Sequence, residues 1–352
     1  MFTDTAQKQT KHKWLKRVLQ NKIGTMHDGQ RFPAELELHR EFNLSRMTVN
    51  KVIMELVRDG FLVRKRPVGT FVSKNRYLNL GIVMPGLGTE FSSSQSPSQY
   101  QIFQGIHKYC HENSWDVQIT SKRGDILSWD KISRYNISGL LIITPVERDY
   151  ELIAEIQKRQ FPFLCINLHS DKINKDVNYV NIDYFNAAID AVNYLYEHGR
   201  KNIAVINTWE MRDDIHQFHI VEGYKQAIKE LGIKEYIITS DIFDDQSPKF
   251  LAGFIRSKFS EIKKYDAVLL TDSHLETPLL NILHDNNIKI PEDISIVSLQ
   301  NSKESIRKGI SSYTVDLQDV GYQSAKLFSK IFDDKNKNLE QLKIKPQLII
   351  SK

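Results

Sequence analysis

Apolar residues in the first part of the chain recur at helical spacing. In residues 12–23 (HKWLKRVLQNKI), Trp14, Leu15, Val18, Leu19 and Ile23 share one face, with Lys13, Lys16, Arg17 and Lys22 outside it. This spacing predicts an amphipathic helix. GTMHDGQRFP then reads as a loop with two glycines, ending at Pro33, a residue well tolerated where a helix starts. Glu35 and Glu37 follow where a helix dipole favours carboxylates, and Leu38 and Phe42 supply a buried side. After the break Asn43-Leu44-Ser45, Ser45 is a good N-cap for a third helix beginning at Arg46. Val49, Val52, Ile53 and Leu56 are then core-facing, which forces Arg46, Met47, Asn50, Lys51 and Met54 outward. Asp59-Gly60 is a stop signal. Beyond it FLVRK and TFV predict two short strands joined by Arg66-Pro67-Val68-Gly69.

From about residue 80 the period changes. Apolar runs that predict buried strands recur as LGIVM (80–84), DVQIT (116–120), GLLII (139–143), FPFLCI (161–166), IAVI (203–206), AVLL (267–270) and ISIV (294–297). Between them lie helical segments such as IFQGIHKYCHEN, YELIAEIQKR, FNAAIDAVNYLYEHG, HIVEGYKQAIKELG and ETPLLNILHDNN. Alternation of this kind predicts parallel sheets covered by helices. So many units divide more readily into two lobes than into one sheet. Ligands of open α/β sheets sit at the carboxyl ends of the strands, here expected to face each other across a cleft.

Composition narrows the class. The chain has 352 residues, 41% hydrophobic and 26% charged, enough for two or three cored domains. No apolar run is long enough for a membrane span, and the N-terminus lacks the apolar stretch of a secretory signal. The expectation is a cytoplasmic protein with no membrane partner. Cys110 and Cys165 form no metal or disulfide pattern and are expected in the core. The first 76 residues hold 16 basic against 7 acidic residues, whereas the rest of the chain is mildly acidic. A basic head on an acidic body predicts a polyanion partner for the head.

The predicted outward face suits a DNA major groove: Arg bonds guanine bidentately, Asn bonds adenine and Lys meets phosphate. The basic hairpin reads as a wing. Gly69 lets its backbone approach a groove, and Arg64, Lys65 and Arg66 are placed to meet phosphates. Catalytic patterns are missing: there is no GxSxG, GxxxxGK[ST] or HExxH, and no metal-spaced Cys/His cluster. His107 and His111 sit at i, i+4 but read as surface residues. Asp183, Asp272 and Asp293 near strand ends read as cleft or structural residues. The chain is therefore expected not to be an enzyme and to need no cofactor or metal.

The segment PAELEL…FNLSRMTVNKVIMELVRDGFLVRKRPVGTFV resembles the winged helix-turn-helix of the GntR-type bacterial regulators. The resemblance implies that Ser45, Arg46, Thr48 and Gly69 contact DNA, and the full candidate set adds Glu35, Met47, Asn50, Lys51 and Arg66. Leu36 and Asn50 stand where that family often has arginine. The body resembles the effector domain of the LacI family, related to periplasmic sugar-binding proteins. This likeness lies in LGIVMP, in VNIDYFNAAIDAVNYLYEHGRKNIAVI and above all in YDAVLLTDSHLETPLLNILHDNNIKIPEDISIVS. The joined arrangement is similar to that of the bacterial arabinose repressors.

The expected fold is therefore an α+β winged helix-turn-helix domain (1–73), a linker (74–79) and a two-lobed α/β periplasmic-binding-protein-like effector and dimerisation domain (80–352). The resemblance implies a homodimeric repressor of double-stranded DNA, controlled by a sugar or related metabolite. Effector candidates, placed by segment, are Ser98 and Gln99 in the loop after the first strand and Lys122 and Arg123 after DVQIT. His216, ahead of the helix containing Gly223, joins them with Phe243, Thr271 and Gln300. Amide, hydroxyl and guanidinium groups beside one apolar face suit a polyol. Ile220 and Gln300 occupy positions where the family usually has arginine and aspartate. The alternative is an α/β binding or enzymatic protein whose basic head docks on something other than DNA.

Overall fold

The computed structural model describes residues 3–65, 67–73, 78–84, 97–120, 128–135, 137–145, 147–168, 176–208, 215–239, 247–299, 309–333 and 338–351. The head consists of α1 (Thr3–Thr25), α2 (Glu35–Phe42), α3 (Arg46–Arg58) and an antiparallel hairpin of β1 (Leu62–Lys65) and β2 (Gly69–Val72). Leu15, Leu19, Leu38, Val49, Val52, Ile53, Leu56 and Leu62 are fully or almost fully buried in one core. The helical stripes read from the sequence therefore converge, except at Trp14, which is half exposed and packs edge-on against Phe42. α1 starts well before residue 12, in a stretch that holds no glycine or proline to stop it. Pro33 precedes the N-cap Ala34 of α2, and Glu37 Oε2 accepts the Ala34 N–H at 3.1 Å.

The segment before Pro33 is more than a loop. Arg31 bridges Phe71 in antiparallel fashion, Phe32 N–H donates to the Thr70 carbonyl at 2.8 Å, and Val72 N–H donates to that of Gln30 at 2.8 Å. Phe32 is buried and Arg31 exposed, the alternation of a strand, so this segment extends the wing along β2.

The rest of the chain alternates as expected. It runs β3 (Asn79–Val83), α4 (Pro97–Glu112), β4 (Asp116–Ile119), α5 (Trp129–Ile132), β5 (Gly139–Ile143), α6 (Tyr150–Lys158), β6 (Phe163–Ile166) and β7 (Tyr179–Ile182). Then come α7 (Tyr184–Glu197), β8 (Ile203–Asn207), α8 (Ile215–Leu231), β9 (Ile237–Thr239), α9 (Pro248–Ile262) and β10 (Ala267–Leu270). The last elements are α10 (Glu276–Asp285), β11 (Ser295–Ser298), β12 (Ser311–Thr314), α11 (Leu317–Asp333), β13 (Gln341–Ile344) and β14 (Gln347–Ile349). One six-stranded sheet has the order β13-β7-β6-β5-β3-β4 and the other β14-β12-β11-β10-β8-β9. Neighbours β4, β3, β5 and β6 pair in parallel, as do β9, β8, β10, β11 and β12; β14 is antiparallel to β12. β5, β6, β8 and β10 are buried along their whole length, as strands covered on both faces must be.

The chain divides into two compact units. One is Met1–Ile166 with Val177–Tyr179 and Leu317–Glu340, and the other is Asn167–Asp176 with Val180–Asp316 and Gln341–Lys352. Cys110 and Cys165 are free and buried as expected, and burial pushes the Cys110 thiol up to about 12. No helix among the described residues is long and apolar enough to cross a membrane. The inferred linker falls mostly on residues 74–77, outside the described residues.

Candidate nucleic-acid interface and effector site

Ser45 caps α3: its Oγ accepts the Thr48 N–H at 3.1 Å and lies 2.8 Å from Thr48 Oγ1. This cap starts the helix at Arg46 and fixes which residues face away from the core. Arg46, Met47 and Lys51 are exposed, while Thr48 and Asn50 are half-buried. Gly69 has φ +143°, a conformation that side chains rarely adopt, and a Cβ there would lie 3.3 Å from Arg31 Nε. Arg31 is the residue the sequence reading missed. With Pro33, Leu36, Lys65, Pro67 and Gly69 it lines a groove of about 460 Å³ between the start of α2 and the wing. Its signal was the exposed–buried alternation of Arg31 and Phe32 in a segment read only as a loop.

One reading of the head needs correction. Arg64 does not stand open for a phosphate: its Nη2 donates to Glu35 Oε1 at 2.8 Å, and its Nη1 lies 3.3 Å from Met54 Sδ. Glu35 is thus engaged by the wing strand, a tie between α2 and β1. Arg66 lies outside the described residues. Three other cations of the head are also paired: Lys16 with Glu55 and Asp59, Lys22 with Glu41, and Arg58 with Asp59. Among the described residues Arg31, Arg40, Arg46 and Lys51 have no ion pair on the α2, α3 and wing side, and Lys11, Lys13 and Arg17 have none on α1.

The effector candidates scatter more. Ser98 and Gln99 lie in the first turn of α4, not in a loop, because Pro97 starts the helix there. His216 is the second residue of α8 rather than a residue ahead of it. Lys122, Arg123, Phe243 and Gln300 lie outside the described residues. Thr271 follows β10 and is fully buried, with its hydroxyl 3.0 Å from Gln217 Oε1 and 3.2 Å from both Asn207 Oδ1 and the Ile206 carbonyl. Gln217 Nε2 reaches Thr208 Oγ1 at 3.5 Å. Asn207, Thr208, Gln217 and Thr271 therefore form a buried polar group at the carboxyl ends of β8 and β10, where open α/β sheets hold ligands. The sequence reading found one member of four, since Asn207 and Thr208 directly follow an apolar run and Gln217 sits in a helix of ordinary composition. Ile220, where a family arginine was expected, is fully buried in the core that α7 and α8 share.

The three aspartates near strand ends hold turns. Asp183 caps α7 and accepts from Asn186, and Asp293 accepts the Lys289 N–H at 2.8 Å. Asp272, buried after β10, has its Oδ1 2.7 Å from His274 Nδ1 and accepts the His274 N–H at 2.8 Å. The hydrogen bond to Asp272 and its charge hold the His274 imidazole above its ordinary value of 6.5. The folded state thus favours the protonated ring. The pair stabilises below the unfolded value, and its contribution fades as pH rises through the higher folded value. An NMR titration should place the His274 midpoint above that of a free histidine. In Asp272→Asn the midpoint should fall back, and an unmoved midpoint would remove the pair as its cause. His107 and His111 stack at 6.5 Å on α4, and no metal-holding cluster occurs among the described residues.

A capped helix with an outward cationic face, a wing with a forced glycine and two mostly parallel sheets, one of them with a buried polar group at the carboxyl ends of its strands, define the class: a DNA-binding head carried by a ligand-binding α/β body. Known proteins agree. Residues 16–72 match the bacterial regulatory proteins of the gntR family, and residues 192–351 match the periplasmic binding protein-like domain. The arabinose metabolism transcriptional repressor of Halalkalibacterium halodurans is 22% identical, over 94% of this chain and 91% of its own. A LacI transcriptional regulator from Bacillus cereus subsp. cytotoxis has the same body fold, with a TM-score of 0.63 at 21% identity, covering 78% of this chain and 97% of its own. A LacI family regulator from Enterococcus faecium with bound ribose gives 0.59 at 17%, covering 78% and 98%.

Proposed function

We propose that this chain is a cytoplasmic transcriptional repressor that binds a near-palindromic operator as a homodimer and responds to a sugar or closely related metabolite. The observation that carries the reading is the pairing, in one chain, of the α3 face with the wing and of a periplasmic-binding-protein-like body. The arabinose repressor that aligns over nearly the whole chain supports the order of the two parts. In each head α3 lies in the major groove, with Arg46 and Asn50 toward base edges, Lys51 toward phosphate and the cap of Ser45 and Thr48 presenting the helix start to the backbone. Gly69 brings the wing backbone close to the duplex, and Arg31 and Lys65 flank it.

The effector binds where Asn207, Thr208, Gln217 and Thr271 collect at the strand ends; hydroxyl and amide groups with no net charge suit a neutral polyol. The ribose bound to the Enterococcus regulator supports that chemical class. No step of catalysis is part of this reading. DNA and effector then share one coupling free energy of about 1–3 kcal/mol, or 5–150-fold in affinity, and it acts equally in both directions. The test is a screen of the full chain against pentoses, hexoses and their phosphates by thermal shift. The best ligand is then added to labelled duplex. A ligand that raises the melting temperature and weakens DNA binding within that range supports the reading. A stabilising ligand that leaves DNA affinity untouched defeats it.

A further inference from the structure

One apolar side chain in the head is left in water where the fold had every opportunity to place a polar one. Met47 is 81% exposed, more than any other large apolar side chain described. Counting roughly 100° per residue, it lies about 160° around α3 from the buried Val49, so it points almost straight away from the core. Its neighbours on that outward stripe are Lys51, which is exposed, and Met54, which Arg64 covers at 3.3 Å. Met47 thus stands uncovered at the start of the helix, flanked by Arg46 and Lys51.

That setting selects the partner. The cations on either side bring the helix against phosphates, which puts Met47 over base edges. A major groove of unmodified DNA offers donors and acceptors at every base pair but only one apolar group, the C5-methyl of thymine. The thioether chain has no donor for the other edges, and it is long and flexible enough to fold onto a methyl group. We propose that Met47 is a specificity-determining residue that reads one thymine per half-site by contact with its methyl group. This inference rests on the DNA-binding reading above and adds to it a base identity and a chemical cause.

The experiment uses the full chain. Duplexes are enriched from a randomised pool, and in the recovered site each thymine is replaced singly by deoxyuridine, which lacks the methyl group and nothing else. Anisotropy at constant salt should show one replacement per half-site that weakens binding about fourfold, the equivalent of roughly one buried methylene. Met47→Ala should weaken binding to the all-thymine site by a similar factor and no longer distinguish the two duplexes. Met47→Leu should keep part of the discrimination, and Met47→Gln, of similar length but polar, should lose it. If the parent binds its site and no thymine methyl matters, or if Met47→Ala or Met47→Gln discriminates as well as the parent, the assignment is overturned while DNA binding stands. Failure to enrich or bind any duplex removes both readings together.

Discussion

Gly105→Val is expected to lower the melting temperature of this protein by roughly 6–12 °C, the shift that ~3 kcal/mol gives a domain of this size. Gly105 lies in α4 and Gly321 in α11, and each faces the backbone of the other helix. A Cβ on Gly105 would lie 1.8 Å from the Gln318 carbonyl oxygen and 2.8 Å from Tyr322 N; one on Gly321 would lie 1.9 Å from the Ile102 carbonyl oxygen. These are backbone atoms and cannot rotate aside, so the helices must separate. Separation strains the edge-on contact of Tyr109 with Tyr322 at 5.2 Å and the 2.9 Å hydrogen bond from Tyr322 to Glu112. Overpacking typically costs about 1–3 kcal/mol, and two helices forced apart belong at the upper end or beyond. Against this stands the gain of about 1 kcal/mol from replacing glycine by alanine within a helix, less for valine. The clash wins. Gly253 in α9 supplies the control, since nothing lies within 4 Å of a Cβ there. Gly253→Ala should raise stability by about 0.5–1 kcal/mol. Circular-dichroism melts of both variants check the pair of opposite signs, and a Gly105→Val protein as stable as its parent would show that the helices tolerate separation.

The same distinction explains what could be read from the sequence. Two chemically identical glycines in helices differ entirely in what approaches them, and only the fold shows which is which. Six of the seven apolar runs became strands that are buried along most or all of their length, a state that composition reveals; the seventh, DVQIT, became the edge strand β4, which stays partly exposed. β12, with the sequence SSYT, and β13 and β14, which leave most of their residues exposed, carry no such run and went unread. α9 was legible in principle, because Ser247 caps it and Pro248 begins it. The outward face of α3 was legible because the N-cap at Ser45 and four core positions fix the helix in phase. Arg64 was not. Nothing in a basic hairpin tells a cation held for DNA from one already paired 29 positions away with Glu35. Three of the four members of the body's buried polar group were hidden for a similar reason, since Thr271 and Gln217 lie 54 positions apart and meet only in the folded chain.

Binding of the full chain to duplex DNA should weaken by about 10³–10⁵-fold between 50 and 200 mM salt. The cations left unpaired on the α2, α3 and wing side would meet about three to five phosphates per head, or roughly six to ten in a dimer, and each neutralised phosphate adds about −0.9 to the slope of log affinity against log salt. Slopes of single substitutions then separate roles that affinity alone confuses. Lys51→Ala should reduce the slope by about 1 and weaken random and enriched duplexes alike, as loss of a phosphate contact does. Arg46→Ala should cost about 1–3 kcal/mol on the enriched site and little on random duplex, because a bidentate base contact serves one sequence. Lys16→Ala offers the internal comparison. Its amine is held by Glu55 and Asp59 at 3.2 and 2.7 Å, so its removal should leave the slope nearly unchanged although one formal charge is lost. A slope that fell equally for Lys16 and Lys51 would mean that the head attracts DNA by net charge alone and that α3 has no privileged contact. An enriched site indifferent to Arg46 would remove that side chain from base reading.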